Sequence, residues 1–308
     1  MKELTAHRLM QLLYRFCSIC HGMLWRIRGA IQDEVTINTA GGRFSVSTRD
    51  HAVGGSIYRN GKDEDYDFSL RALTFLKNTG IIPPTNVTLL DVGANIGVIS
   101  IGLLLTHLID RAIAVEPEPR NFGLLCRNVD HNALRDQMLC VQKAVSDANS
   151  LLIMELSYDN FGDHRIRASI PNPTPGRFGE RARRTIEVPC LTLPEVLPSP
   201  EVRMFGVSDP TVLWIDVQGH EGYVFKAGAT SLVASGLPTV SEIWPYGILR
   251  AGMSLEDFFE VVTDIWTDYW IERRKRFTRY PIAVFDRYLE ELGTDGHYEN
   301  VIFTRHRD

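Results

Sequence analysis

The 308-residue sequence predicts an α/β fold, a mostly parallel sheet with helices on both faces. Three observations carry that expectation. From about residue 86, apolar runs of strand length alternate with amphipathic runs of helix length. The first strand runs into a glycine turn, Asp91-Val92-Gly93-Ala94-Asn95-Ile96-Gly97, that opens a helix. Acidic residues then close later strands, at Glu116 and Asp216.

Taken in order, residues 8–31 come first, with Leu9, Leu12, Leu13, Phe16, Ile19, Met23, Leu24 and Ile27 at mostly helical spacing. Arg8, Arg15, Arg26 and Arg28 interrupt the stretch, which falls short of the ~20 apolar residues that span a bilayer. No small-residue cleavage site follows, so the segment is not read as a signal peptide. It reads as a helix packed on the main domain or on another subunit, or as a basic amphipathic helix resting on an anionic membrane surface. Cys17-Ser18-Ile19-Cys20-His21 has the spacing of a c-type haem attachment. That chemistry needs an exported chain, so the cysteines read as small apolar residues on a helix.

Residues 35–60 alternate and predict a hairpin; 66–79 predict a helix ending at Gly80, before Pro83-Pro84. Strands follow at Val87–Val92, Ala112–Glu116 and Met138–Val145, with helices at Ile96–His107 and Pro119–Leu134. Leu151–Leu156 and Ile186–Cys190 look like extra strands. Between them Pro171–Arg184 is a basic Pro/Gly loop, readable as a substrate lid or as a solvated insertion. A fourth strand, Leu213–Val217, precedes a helix burying Val224, Phe225, Gly228 and Leu232. Pro238–Ile243 is a fifth strand, Ser254 with Asp257 caps a helix, and Tyr298–Thr304 is the last strand. Residues 1–85 thus read as an N-terminal helix and hairpin extension, and 86–308 as the main domain.

The charge balance is 33 basic against 38 acidic side chains, a net −5, which argues against a nucleic-acid partner. Five cysteines form no disulfide framework, and a reducing cytoplasm is the default expectation.

The glycine turn after a buried strand is a nucleotide-binding signal. A pyrophosphate wants unopposed N–H groups at the helix start, and Asp91 would repel it. S-adenosylmethionine carries a sulfonium and an ammonium and no phosphate, so the pattern favours it as cofactor. Glu116, in Val115-Glu116-Pro117, is placed to accept hydrogen bonds from ribose hydroxyls. The fourth strand delivers Asp216, Gln218, His220 and Glu221 to its carboxyl end. His220 titrates near neutrality and sits where a transferred group is expected.

The run Leu89–Gly97 with Val115-Glu116-Pro117, Ala144-Val145-Ser146-Asp147, Asn160-Phe161-Gly162-Asp163, Ser241-Glu242-Ile243 and Ile215–Glu221 resembles the FkbM-family methyltransferases. The similarity spans roughly residues 50–245. It implies a class I, Rossmann-like fold with a seven-stranded sheet, and methyl transfer from S-adenosylmethionine to a hydroxyl oxygen of a sugar, glycan or natural product. The family usually has Glu where this chain has Gln218. On this reading Asp91, Gly93, Asn95, Gly97, Glu116, Ser146 and Asp216 bind the cofactor, with Glu64 reaching it from the N-terminal region. His220 is the expected base, with Glu221 and Asp216 behind it. Asp216, Glu221 and Glu242 are also candidates to gather around a divalent metal ion, though strand-end carboxylates are usually polar termini. Two other readings stay open: a cofactor-binding or scaffold subunit without turnover, and a nicotinamide-dependent oxidoreductase.

Overall fold

In a computed structural model of the chain, residues 21–63, 65–168, 176–206 and 209–306 are described. A helix, α1 (21–31), is held by Trp25, whose indole N–H donates to the Asp50 carbonyl at 3.1 Å and whose ring lies 4.9 Å from that of Tyr58. Strands β1 (Glu34–Thr39) and β2 (Gly42–Ser47) pair antiparallel. The expected hairpin stops there. Residues Val53–Asn60 form a helix, α2, because the Asp50 carboxylate takes the amides of Ala52 and Gly54 at 3.0 and 2.9 Å and starts a helical turn. Helix α3 (Tyr66–Asn78) buries Ala72, Leu73 and Leu76.

Next come β3 (Thr88–Val92), α4 (Val98–Leu105), β4 (Arg111–Val115), α5 (Pro119–His131) and β5 (Met138–Val141). The expected third strand breaks at 142–143. Its second half, β6 (Ala144–Ser146), leaves the main sheet to pair with β9 (Arg184–Thr192), which also pairs with β7 (Leu151–Leu156); β7 in turn carries β8 (Arg165–Ile166). After short helices α6 (Leu193–Val196) and α7 (Pro200–Phe205), the chain returns through β10 (Val212–Ile215), α8 (Glu221–Ser235) and β11 (Thr239–Ile243). Helix α8 buries Val224, Phe225, Gly228 and Leu232, as its spacing predicts.

The remaining elements are α9 (Pro245–Ala251), α10 (Leu255–Ile265), β12 (Asp268–Arg273), β13 (Arg276–Pro281), α11 (Phe285–Leu292) and β14 (Glu299–Thr304). The main sheet has eight strands, not seven, in the order β13-β12-β14-β11-β10-β3-β4-β5. Strands β11 to β5 are parallel; β14, β12 and β13 join antiparallel. The extra strands come from a hairpin closed by Arg274-Lys275, both at positive φ (51° and 61°). Such a turn normally advertises itself with Asn or Gly, and here it does not.

Alternation along β3 divides the core, Leu89 facing one apolar cluster and Leu90 the other. Trp25, Phe44 and Leu73 share the first cluster with Leu89 and Ala112, so the N-terminal extension and the sheet bury one another. Among the described residues, no helix is long and apolar enough to cross a membrane.

Candidate active site

A cavity of about 300 Å³ opens at the carboxyl ends of β3, β4, β10 and β11, where an open parallel sheet places its ligands. At one end stand Asp91, Asn95 and Glu116. Asp91 accepts a hydrogen bond from the Ser100 hydroxyl, and burial pushes its carboxyl up to about 6 against that bond. Glu116 accepts the amides of Asn95 and Glu118, each at 2.9 Å, which fix the carboxylate and leave lone pairs for a ligand. Burial, opposed by those two bonds, raises its pKa to about 8.

The glycine turn is closed on itself. Gly93 and Ala94 donate to the Val115 carbonyl at 2.9 and 3.0 Å, and Gly97 donates to Ala94 at 2.8 Å. With Asn95 bound to Glu116, four amides that might have cradled a pyrophosphate are engaged inside the protein. Orphaned acceptors face the other way. Asn95 Oδ1 and Asn121 Oδ1 are buried without a hydrogen-bond partner, and both residues line the cavity. Two unpaired carbonyl oxygens beside a fixed carboxylate suit a ligand rich in O–H and N–H donors and poor in phosphate. S-adenosylmethionine, with ribose hydroxyls and an ammonium, fits that set.

Gly93 joins the two ends. Its φ is +88°, and a Cβ there would stand 1.8 Å from the Asp216 carbonyl oxygen. The β3 turn and the β10 loop therefore meet backbone to backbone, and no side chain fits between them. Beyond that contact, the Gln218 amide donates to Asp216 Oδ1 at 2.7 Å and to Glu242 Oε1 at 3.3 Å. Gln218 holds φ +56°, an uncommon conformation for this residue type, and its amide clamps the two carboxylates from there. Both carboxyls are shifted well upward. Burial is the main cause for each, followed by the neighbouring negative charges of Glu221 and Asp65 for Asp216, and of Asp216 and Glu221 for Glu242. Two crowded carboxyls of this kind hold their protons more tightly than solvated ones and titrate as a pair.

Trp244 completes this end of the wall, with its indole N–H buried and unpartnered. Arg165 packs over the Trp244 ring at 4.5 Å, and its guanidinium binds Asp163 and Glu180. Tyr246 donates to the same Glu180 at 2.7 Å, and Arg183 binds Asp163. The basic loop is thereby pinned: Arg183 pairs with Asp163, and Arg177 pairs with Asp295 at 3.2 Å. Those two arginines face their own carboxylates rather than an incoming anion. Residues 171–175 of the loop lie outside the described residues.

Of the residues expected at the site, Asp91, Gly93, Asn95, Glu116 and Asp216 line the cavity; Gly97, Ser146, His220 and Glu221 do not. Gly97 caps α4 under Leu125, where a Cβ would come within 2.6 Å of that side chain. Lys143, Ala144 and Val145 reach the wall, but the Ser146 hydroxyl turns away to His220 Nε2 at 2.7 Å. His220 is buried at the start of α8, stacked 4.6 Å from Tyr223, and burial lowers its pKa to about 4. It is a neutral imidazole behind the wall, where the sequence places a base at the crevice. Glu221 braces the loop by accepting the amides of Val217 and Gly219 at 2.9 and 3.3 Å.

Glu64 lies outside the described residues, while its neighbours Asp63 and Asp65 line the cavity. Cys17 and Cys20 also lie outside them, and the His21 ring meets the edge of Tyr58. Among the described residues no three His, Cys, Asp or Glu side chains gather as metal ligands; Glu221 points to backbone instead of joining Asp216 and Glu242. Glu242 itself closes β11 as Asp216 follows β10, so the strand-end rule that selects Asp216 selects it too.

No curated protein matches the sequence. Among solved structures, the methyltransferase FkbM from Methylobacillus flagellatus KT is 14% identical with a TM-score of 0.41, covering 82% of this chain and 53% of that one. The chain thus spans about half the length of that protein. A putative transferase from Pyrococcus horikoshii is 11% identical (TM-score 0.40, 88% and 70% covered), and a precorrin-6y C5,15-methyltransferase from Geobacter metallireducens is 12% identical (0.39, 80% and 93%). The model of the methyltransferase FkbM domain matches residues 91–274, more than half of the sequence and the whole stretch from Asp91 to Glu242. The chain belongs to the FkbM methyltransferase family.

Proposed function

We propose that this protein transfers a methyl group from S-adenosylmethionine to a hydroxyl oxygen of a sugar, glycan or natural product. The observation that carries the reading is the pairing of two unlike carboxylate sites in one cavity. Glu116 at β4 and Glu242 at β11 are separated by three strand spacings, ~14 Å, enough for a nucleoside at one end and an acceptor at the other.

S-adenosylmethionine supplies, when bound, an electrophilic methyl group. Glu116 holds the ribose hydroxyls, while Asn95 and Asn121 take further donors of the cofactor. Asp91 lies buried beneath the turn as the acid that suits a cationic ligand. Gly93 keeps the two ends in contact, so acceptor and donor are held in attack geometry.

An alcohol that attacks must lose its proton. The Asp216–Glu242 pair receives it, because a carboxylate with a raised pKa is a stronger base than a solvated one. Gln218 holds both oxygens in place while the proton arrives. His220 orders Ser146 and the start of α8 in this scheme, and does not reach the acceptor.

Calorimetry on the purified protein tests the cofactor: S-adenosylmethionine and its demethylated product bind, and NAD does not. Incubation of cell extract with labelled S-adenosylmethionine and the protein then yields an ether-linked product stable to alkali. Cofactor binding with no product from any hydroxyl acceptor would instead mark a binding subunit. NAD binding alone would mark the oxidoreductase.

A further inference from the structure

We propose that α1 is a docking face for an anionic lipid surface, a role separate from methyl transfer. The helix has two unlike sides. Trp25 is its anchor, 1% exposed, and Gly29 passes close to the Thr48 backbone, where a Cβ would stand 3.2 Å from the carbonyl oxygen. The opposite side is apolar and bare: Met23 is 64% exposed, Leu24 50%, Ile27 47% and Ile31 78%. At 3.6 residues per turn these four fall within an arc of about 100° facing away from Trp25. Arg26 and Arg28 are exposed and flank the arc on either side.

An apolar stripe edged by arginines is the pattern of a helix lying in a membrane interface. The aliphatic side chains enter the acyl boundary, and the guanidinium groups stay at headgroup level. Upstream, outside the described residues, the sequence carries Leu9, Leu12, Leu13, Phe16 and Ile19 at mostly helical spacing. Charge selects the surface. Residues 1–31 carry Lys2, Arg8, Arg15, Arg26 and Arg28 against Glu3 alone, in a chain whose total is −5. The rest of the protein is repelled by anionic lipid and this segment is drawn to it, which orients the molecule. A nucleic acid would answer the arginines but leave the isoleucines in water. The uncharged stretch between Arg15 and Arg26 is shorter than the ~20 residues that span a bilayer. Docking also has a consequence for access, because Trp25 packs on α2, and Ala52, Val53 and Arg59 at that helix line the cavity.

Sedimentation of the full chain with vesicles tests this. Phosphatidylcholine vesicles containing phosphatidylglycerol should carry the protein down, phosphatidylcholine alone should not, and added salt should release it. The double variant Ile27→Asp with Ile31→Asp should lose about tenfold or more in partitioning. Arg26→Ala and Arg28→Ala should each lose about fivefold. These side chains are exposed, so circular dichroism and cofactor affinity should stay as in the wild type. Equal sedimentation with both vesicle types, or undiminished binding by the double variant, would overturn the proposal. So would light scattering that shows a dimer which the double variant converts to monomer, since a second copy would then cover the face. Binding to single-stranded nucleic acid but not to vesicles would overturn it as well.

Discussion

The two ends of the cavity use carboxylates in opposite ways. At the β3–β4 end, Glu116 is tied by two backbone amides, and Asp91 by one hydroxyl. Those donors belong to rigid elements, so the acids are placed before any ligand arrives. At the β10–β11 end, Asp216 and Glu242 share the single amide of Gln218, and their mutual repulsion persists. In the proposed reaction the first arrangement accepts hydrogen bonds from the cofactor and the second accepts a proton. The amide of Gln218 makes this end two acids and a clamp.

This contrast can be broken most sharply at Glu242. The variant Glu242→Gln keeps the shape and removes the base, so kcat should fall by roughly 10²–10⁴ while cofactor affinity stays within about twofold. In the same assay His220→Ala should keep turnover within about tenfold of wild type. Initial rates and calorimetry on both variants check this, and the reverse ranking would return the base to His220. At the other end, Glu116→Ala should weaken S-adenosylmethionine by about 1–3 kcal/mol and leave acceptor KM unchanged, since the ribose hydroxyls lose their hydrogen-bonding partner. Unchanged affinity in titration calorimetry would remove Glu116 from the cofactor site.

Gln218→Glu should destabilise the protein by about 1–3 kcal/mol at pH 8, because a donor disappears and a third acid enters a buried pair. The loss should fade at pH 5, where protonation relieves the crowding. Denaturant melts at both pH values read this directly. The wild type should itself lose stability as pH rises from about 4.5 to 8, by ~1 kcal/mol per pH unit for a group such as Glu116. The sign follows from proton counts. Unfolded glutamates release their protons near 4.5, and folded Glu116 keeps its proton up to about 8. The native state therefore binds more protons over that window, and raising pH favours unfolding. A melting temperature that rises from pH 5 to pH 8 in the ligand-free protein would contradict the raised carboxyls.

Much of this was legible without coordinates. The parallel strands were visible because each is a short apolar run followed by a helical period, and Asp91, Glu116 and Asp216 were visible because such sheets bind ligands beyond the strand ends. The β12–β13 hairpin was not, since its Arg274-Lys275 turn adopts positive φ without the residues that usually signal it. The break at 142–143 was equally hidden, because Met138–Val145 has the apolar content of one strand whichever sheets its halves join.

The sequence by itself determined which residue types stand at the strand ends, and hence the fold class, the glycine turn and the acidic character of the cavity. These depend on local periodicity and on backbone freedom at Gly93, which are properties of short stretches of chain. Only the tertiary structure decided which polar groups face ligand and which face protein. In sequence His220 is the expected base and Glu242 only a candidate metal ligand, and separation in the chain gives no hint that Ser146, 74 residues away, takes the imidazole. Nor does it show that Gln218 reaches Glu242 across 24 residues to bind two acids. A side chain's role is set by its nearest neighbours in space, and in a doubly wound sheet those neighbours come from adjacent strands that lie far apart in sequence.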